Sequence, residues 1–310
     1  MSVDLDKYFA RIGWDGGRAP TLATLRGLQY AHVLAVPFEN VDVVAGTVPS
    51  LEVPDLEAKI VTGGRGGYCF EQNTLFAAVL EQLGYGVVRH TGRVRAGARP
   101  GEVRPRTHLV LVVRVPGEGG RRHLADVGFG SADALLEPLP LVAGPVRDGR
   151  GRRHRLVLEE TDGPVRVWVL QIRKDDAWRE LVAFTLDPAL APDIGMANWH
   201  VATHPRSPFR RLFVQRTLPA GHLALDGARL TRTAHDGAVT VRELDGAEEI
   251  RAVLGAEFGI TAPPDVRSGT DQPPAAPGAV RPAVRNATTV DSSGNDGSAA
   301  ESASAASGRP

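Results

Sequence analysis

Cys69 is the only cysteine among the 310 residues of the chain, and it directly follows the glycine-rich run GGRGGY. A free cysteine is most often a small buried apolar side chain. Here, however, Gly66 and Gly67 allow a tight turn, and the residues that follow Cys69 have the pattern of a helix. The first turn of a helix has unpaired N–H groups and a dipole that favour an anionic sulfur. The sequence therefore predicts that Cys69 is a nucleophile.

A nucleophile needs a base and a group that orients the base, and His108 and Asp126 fit these roles. Both lie in THLVLVVRVPGEGGRRHLADVGFG, which has the pattern of two strands joined by a glycine-rich turn. If residues 116–120 form the loop of this hairpin, His108 faces Gly128 and Asp126 faces Val110. The two side chains are then diagonal neighbours on one sheet face, about 7–8 Å apart at the backbone. A slip of one residue would separate them, and glycine at 128 would leave room for the imidazole.

Other histidines and a rival motif are weaker candidates. His90 and His123 lie in predicted strands without an evident carboxylate partner, and His200 and His204 lie in NWHVATHP, which has the character of a loop. The run GGRGGYC could suggest a phosphate-binding loop, but it lacks the Lys-Ser/Thr ending and the full dinucleotide fingerprint. The candidate base therefore remains His108.

The elements that must position these residues begin with a helical bundle over residues 1–86. Apolar residues recur at helical spacing after Asp4 and after Thr21, and both residues are suitable N-caps. A third helix starts at or near Cys69 and ends at Gly84. This bundle would carry the nucleophile.

The chain changes character after the predicted bundle. Residues 87–200 are rich in Val and Leu and are predicted to form an antiparallel β-barrel that carries the histidine and the aspartate. Residues 201–261 combine short strands with a last helix, whose start has a capping box formed by Asp245 and Glu248. Residues 262–310 contain no aromatic residue, Leu, Ile or Met, which predicts a disordered tail.

Composition excludes several classes of protein. Lys plus Arg and Asp plus Glu are both 36, so a nucleic-acid or membrane-surface partner is not expected. A single cysteine cannot form an internal disulfide framework or a cysteine-based zinc site, and no metal is expected. The N-terminus MSVDLDKYFARIGWDG lacks the features of a signal peptide, and no apolar stretch is long enough to span a membrane. The expected location is the cytoplasm.

Three ordered motifs, RGGYCFEQN, THLVLVV and HLADVGFG, resemble those of the arylamine N-acetyltransferases. VPFEN at 36–40 and NWHVATHPRSPF at 198–209 are also similar to signatures of that family, and the likeness extends over roughly residues 5 to 260. The resemblance implies an α+β, cysteine-protease-like fold in three parts: an N-terminal helical bundle, a central β-barrel and a C-terminal α/β lid. Gln72 stands where many members carry another residue, and the long tail is not part of the family core.

The resemblance also implies roles for particular residues. Cys69, His108 and Asp126 would form the triad, which agrees with the spacing argument above. The acetyl donor would be acetyl-CoA, and its pantetheine arm would lie near four residues: Thr107, Gly128, Phe129 and Gly130. The apolar pocket for a small aromatic amine would be lined by Phe38, Phe129 and Phe209.

The activity expected from this resemblance is acetyl transfer to an arylamine or hydrazine through an acetyl-cysteine, with ping-pong kinetics. An alternative within the same fold is an amide synthase that closes a macrolactam from a polyketide bound to a carrier protein. A cysteine hydrolase shares the triad logic, and in a non-catalytic binding module Cys69 would serve only for packing. Use of acetyl-CoA in solution, stability of the acyl-enzyme in water and the rate of alkylation of Cys69 distinguish these readings.

Overall fold

The computed structural model describes residues 2–262 of the chain. The predicted disordered tail, residues 262–310, therefore lies outside the described residues, apart from residue 262 itself. The described part contains helices and two antiparallel sheets, so the predicted α+β class is confirmed. No described helix is long and apolar enough to cross a membrane.

Helices dominate the first 85 residues, as the apolar spacing predicts. They are α1 (Leu5–Ile12), α2 (Leu22–Ala35), α3 (Val41–Val44), α4 (Val53–Leu56) with a π-helical continuation over Glu57–Thr62, and α5 (Cys69–Gln82). Both predicted caps are confirmed, because Asp4 accepts a hydrogen bond from the Lys7 amide and Thr21 accepts one from the Thr24 amide. Apart from α3, whose valines pack elsewhere, the apolar faces of these helices pack into one core with odd-numbered side chains of the hairpin, such as Leu111.

The strands divide into two sheets. In chain order they are β1 (Phe38–Glu39), β2 (Gly86–Val94), β3 (Arg106–Arg114), β4 (Arg122–Ala125), β5 (Leu139–Pro140), β6 (Arg147–Gly149), β7 (Arg152–Glu159), β8 (Val167–Lys174), β9 (Ala177–Phe184), β10 (Phe213–Leu218), β11 (Gly221–Asp226), β12 (Arg229–Ala234) and β13 (Val239–Glu243). An eight-stranded sheet has the order β5-β4-β3-β2-β9-β8-β7-β6, and a five-stranded sheet has the order β1-β10-β11-β12-β13.

The eight-stranded sheet curls into a nearly closed barrel. The segment after β5 reaches β7 through a parallel bridge between Ala143 and Leu156, and the Gly144 amide donates to the Leu156 carbonyl at 2.8 Å. This contact brings the two ends of the sheet together. The barrel encloses an apolar core that includes Val110, Leu124 and Phe184.

The register predicted for the β3–β4 hairpin is confirmed. Leu111 pairs with Ala125 and Arg114 pairs with Arg122, and this is the register that places His108 and Asp126 on one face. The second strand of the hairpin is short and ends at Ala125, one residue before Asp126. Beyond that point the backbone turns away to form side-chain hydrogen bonds in place of the ladder.

The five-stranded sheet joins the two ends of the described chain. β1, which follows α2, pairs with β10 through Phe38 opposite Gln215 and Glu39 opposite Val214. The sheet packs against α7 (Gly246–Val253), which continues as a π-helical turn over Leu254–Phe258. A strand from the N-terminal region thus belongs to the same sheet as the C-terminal strands.

Two local predictions are wrong. NWHVATHP was expected to be a loop, but most of it lies in helix α6 (Ala191–Thr203), which packs its Val201 side on the apolar cluster around Cys69. The predicted capping box at Asp245 does not form with Glu248. The Glu249 carboxylate accepts the hydrogen bond from the Asp245 amide instead, one residue further along the helix.

Candidate active site

Cys69 is the first residue of α5, as predicted, and its side chain is only 2% exposed. The two glycines before it permit close backbone approach, and neither requires a left-handed conformation. A Cβ at Gly66 would lie 2.0 Å from the Pro37 carbonyl oxygen, and one at Gly67 would lie 2.9 Å from the Glu71 side chain. Glycine is needed at position 66 because this segment is pressed against the chain that leads into β1, and at position 67 because the Glu71 side chain folds back over the start of α5.

The thiol of Cys69 faces the first strand of the hairpin. Its Sγ lies 3.6 Å from the Thr107 carbonyl oxygen, and Cys69 is one of the groups that raise the pKa of the next residue, His108. The nucleophile candidate therefore lies beside the base candidate, although the two are carried by a helix and a strand of different parts of the fold.

His108 and Asp126 form a short, buried contact. His108 Nε2 donates to Asp126 Oδ2 at 2.6 Å, and the two side chains are 4% and 2% exposed. Burial alone would lower the pKa of His108, but the Asp126 carboxylate and the Cys69 sulfur raise that pKa to about 10. The imidazole is consequently held in its protonated form at neutral pH.

Asn73, which the sequence reasoning missed, fixes the orientation of the carboxylate. Asn73 Nδ2 donates to Asp126 Oδ1 at 2.9 Å and to the Leu109 carbonyl at 2.8 Å, while Asn73 Oδ1 accepts from the Val127 amide at 3.1 Å. Residues four apart share a helix face, so Asn73 lies on the same side of α5 as Cys69. The four-residue spacing between Cys69 and Asn73 is therefore the sequence feature from which the position of Asn73 could have been predicted.

Gly128 has a different role from the one expected. It was predicted to leave room for the imidazole, but a Cβ at Gly128 would lie 2.7 Å from Cys69 Cα and 3.0 Å from Asn73 Nδ2. The missing side chain therefore makes room for the start of α5. The Gly128 amide also donates to Asp126 Oδ1 at 2.9 Å, which makes it a second support of the carboxylate.

The residues expected near the donor and the amine lie around this centre. The Phe129 ring meets His108 edge-on, with 5.3 Å between ring centroids. Gly130, at φ +55°, packs against the ring of Phe38, which lies 5.7 Å from the ring of Phe209. Phe38 and Cys69 belong to one apolar cluster, against which Phe209 packs. An apolar surface thus adjoins the thiol.

Asn40 ties that aromatic surface to the C-terminal sheet. Its Nδ2 donates to the carbonyls of Phe209 and Arg211 at 2.8 and 2.7 Å, and its Oδ1 accepts from the Phe213 amide at 2.7 Å. The segment that carries Phe209 is therefore held by a side chain from the N-terminal region. Sequence reasoning placed Asn40 in a motif but assigned it no contact.

A buried cluster of charged residues supports the start of α5. Lys59 Nζ donates to Asp42 at 2.6 Å and to Glu71 at 2.7 Å, while Arg65 binds Glu39 and Asp42. Glu71 in turn accepts a hydrogen bond, at 3.0 Å, from the amide of Tyr68, which is the residue before Cys69.

The burial of this charged cluster shifts the pKa values of its members. Burial raises the pKa of Glu71 to about 7, although Lys59 opposes the shift. Burial alone would lower the pKa of Lys59, but the surrounding carboxylates raise it.

The remaining histidines have structural partners or stand apart from the thiol. His90 contacts the Asp187 carbonyl, and burial lowers its pKa. His200 and His204 stack at 4.5 Å between ring centroids near the end of α6. Among the residues that the structure describes, no cluster of His, Cys, Asp and Glu could hold a metal ion.

Comparison with known proteins agrees with the family resemblance of the sequence motifs. The N-acetyltransferase family model matches residues 21–266. The chain is 38% identical to the arylamine N-acetyltransferase of Mycolicibacterium smegmatis over 265 residues, which cover 84% of this chain and 93% of that protein.

Solved structures show the same fold. The crystal structure of the Nocardia farcinica arylamine N-acetyltransferase is 42% identical with a TM-score of 0.78, and the match covers 84% of this chain and 90% of that one. The Mycobacterium marinum arylamine N-acetyltransferase in complex with CoA is 36% identical with a TM-score of 0.76, covering 83% and 93%. From its motifs, its fold and these matches, the chain belongs to the arylamine N-acetyltransferase family.

Proposed function

We propose that the chain transfers an acetyl group from acetyl-CoA to an arylamine or hydrazine through an acetyl-cysteine at Cys69. The observation that carries the proposal is the buried His108–Asp126 pair beside Cys69, whose Sγ lies 3.6 Å from the carbonyl oxygen of Thr107, the residue before His108. A thiolate beside a protonated imidazole that is oriented by a carboxylate is the arrangement that acyl transfer through a thioester requires.

In the first half-reaction, Cys69 sulfur attacks the thioester carbonyl of acetyl-CoA. A bond forms between Sγ and the acetyl carbon, the bond from that carbon to the CoA sulfur breaks, and His108 donates a proton to the leaving thiolate. The Cys69 amide lies in the first turn of α5, where N–H groups have no acceptor within the helix, so it can stabilise the developing oxyanion.

In the second half-reaction, the amine nitrogen attacks the acetyl-cysteine. His108, now neutral, accepts the proton that the amine loses, and the Cys69 thiolate leaves. Asp126 holds the imidazole with Nε2–H pointing to the carboxylate, which leaves Nδ1 free to face the sulfur and the amine. The site then returns to the imidazolium state with which it began.

The substrates would approach from the two sides of the thiol. Thr107, Gly128, Phe129 and Gly130 would contact the pantetheine arm, since all four adjoin Cys69, His108 or the ring that packs beside them. Phe38, Phe129 and Phe209 would form the apolar pocket of the aromatic amine, and Asn40 would hold the Phe209 side of that pocket in place.

Two-substrate kinetics test the proposal. With an arylamine and acetyl-CoA varied together, a ping-pong mechanism gives parallel double-reciprocal lines, and Cys69→Ala should abolish product formation. Intersecting lines, or full activity in Cys69→Ala, would rule out the acetyl-cysteine. An enzyme that ignores acetyl-CoA but accepts a carrier-bound polyketide thioester would instead be an amide synthase with the same nucleophile.

A further inference from the structure

A cavity of about 710 Å³ lies outside the candidate active site. It is bounded by the first turns of α2, the turn before β4 and the segment that includes β5. Cys69, His108 and Asp126 are not among its lining residues, and neither are the phenylalanines of the proposed amine pocket. Its volume is within the range of small-molecule sites, about 300–1,000 Å³.

Four arginines give this cavity its chemistry. Arg26, Arg121, Arg122 and Arg147 line it and are exposed, and within residues 2–262 none of the four forms an ion pair. Some other arginines are paired with carboxylates, as when Arg95 binds both Glu159 and Glu180, whereas these four are not. Guanidinium groups bind phosphate through paired, charge-assisted hydrogen bonds, so unneutralised arginines around one cavity favour an anionic ligand.

A buried histidine in the same wall lacks a hydrogen-bond partner. His123 lines the cavity, is 3% exposed, and its Nδ1 has no partner in the protein. Burial lowers the pKa of His123, Glu118 opposes this shift, and Arg26 and Arg121 add to it. The ring is therefore neutral at physiological pH. Buried polar nitrogens without a hydrogen-bond partner are rare in native proteins, and a bound ligand or water can supply the missing hydrogen bond.

The carboxylates of the cavity do not cancel its positive charge. Glu137 is already paired with Arg150, whose Nε lies 3.0 Å from it and which is not a lining residue. Asp148 accepts a hydrogen bond from the Gly151 amide at 2.9 Å. Glu118 is the third lining carboxylate. Only Glu118 and Asp148 therefore lack an arginine partner among the described residues, and the lining arginines outnumber them.

The floor of the cavity is apolar, and a helix begins at its edge. Leu135, Leu139 and Leu141 contribute buried side chains, and Leu22 is the first residue of α2. The N-terminal end of a helix carries a partial positive charge that adds to the field of the arginines. A ligand that fits both features has an anionic group for the rim and an apolar body for the floor.

We propose that this cavity binds a small phosphate monoester that carries an aromatic or other apolar body. The doubly charged phosphate would lie among Arg26, Arg121 and Arg147, the neutral His123 ring would complete a hydrogen bond to it, and the body would lie on the leucines. Such a ligand would bind at a site separate from the acetyl-transfer chemistry.

Titration of the full-length protein with phenyl phosphate tests the proposal. Calorimetry should show saturable binding of one equivalent, and the NMR signal of His123, assigned with a His123→Gln variant, should shift while that of His108 stays in place. The double variant Arg26→Gln/Arg121→Gln should weaken binding by about tenfold or more, because each lost charged hydrogen bond contributes substantially. Arg251→Gln, which removes an arginine on α7 outside the cavity, should leave affinity unchanged.

Other outcomes would overturn the assignment. A shift of His108 without one of His123 would place the ligand in the candidate active site. Equal affinity of the double variant and the unaltered protein would remove the role of the arginines. Binding of benzyl alcohol as tightly as phenyl phosphate would exclude a phosphate site, and equally tight binding of inorganic phosphate would exclude the apolar subsite. Unchanged thermal midpoints of the variants would show that each comparison is made on folded protein.

Discussion

His108 Nε2 and Asp126 Oδ2 lie 2.6 Å apart in a region from which water is almost excluded. The charge on Asp126 and the hydrogen bond it accepts offset the burial that would otherwise favour a neutral ring, and the pKa of His108 rises to about 10. The protonated form of His108 therefore depends on the charges beside the ring, because burial alone would favour the neutral form.

Replacing Asp126 by Asn should remove that imidazolium at neutral pH. The pKa of His108, followed by NMR, should fall below its ordinary value of about 6.5, because burial then acts without the carboxylate. Turnover should fall by roughly 10³- to 10⁴-fold, as expected when the orienting carboxylate of a triad is lost. A His108 that still titrates near 10 in Asp126→Asn would show that the carboxylate is not the cause.

The pair also predicts how stability depends on pH. A histidine whose pKa is raised on folding stabilises the native state fully below the unfolded pKa, about 6.5, and this stabilisation is lost as pH rises through the folded value. For His108 that window runs from about 6.5 to about 10. Urea unfolding across this range should show the unaltered protein losing stability while His108→Gln changes less. Parallel pH profiles for the two proteins would contradict the raised pKa.

Replacing Asn73 by Ala should lower both stability and turnover. The change leaves the Val127 amide and the Leu109 carbonyl buried without their side-chain partner, at a cost of about 1–3 kcal/mol for each unsatisfied group. It also removes one of the two hydrogen bonds that hold Asp126 Oδ1, so kcat should fall more than KM changes. The matched control is Thr74→Val on the same helix, since Thr74 Oγ1 is buried without a partner and its loss should be nearly neutral.

A methyl group at Gly128 should separate the nucleophile from its base. A Cβ there would overlap Cys69 Cα at 2.7 Å, a backbone atom that cannot move without shifting α5. Gly128→Ala should therefore lose most activity and unfold at lower urea concentration. Gly195→Ala is the control, because its Cβ would meet nothing within 4 Å and alanine favours the helix by up to about 1 kcal/mol. Similar activity in both variants would refute the close approach.

Lys59→Met should destabilise the start of α5. The lysine side chain is 16% exposed and contacts Asp42 and Glu71, so its loss leaves Glu71 without an ion-pair partner among the described residues and Asp42 with Arg65 alone. Breaking a buried ion pair in this way costs about 3–5 kcal/mol. Lys7→Met removes an exposed pair with Asp4, for which a much smaller loss of stability is expected because solvent screens the two charges. Equal losses in urea unfolding would show that burial does not set the energetics of this cluster.

Much of the site could be predicted from the sequence because local rules determine it. The loop length and alternation of the hairpin determined its register, and the register placed His108 and Asp126 on one face. Cap residues and glycine predicted the start and end of the helices that surround Cys69. These features depend on residues close together along the chain.

The parts that were missed depend on contacts between distant segments. Asn73 meets Asp126 across 53 residues, and Asn40 meets Phe209 across 169. The same holds for the clash that requires glycine at 128, which arises from a helix and a strand of different parts of the fold. The helix over NWHVATHP is hard to predict because polar residues separate its few apolar positions. One of these, Val201, is a residue that α6 packs against the apolar cluster around Cys69.

The most direct test of the central claim is the mass of the intact protein after brief mixing with acetyl-CoA in the absence of an amine. The account predicts one added acetyl group, located on Cys69 by peptide mapping, absent from Cys69→Ala, greatly reduced in His108→Gln, and removed on addition of an arylamine. An unmodified protein that nevertheless turns over, or an acetyl group on any residue other than Cys69, would contradict it.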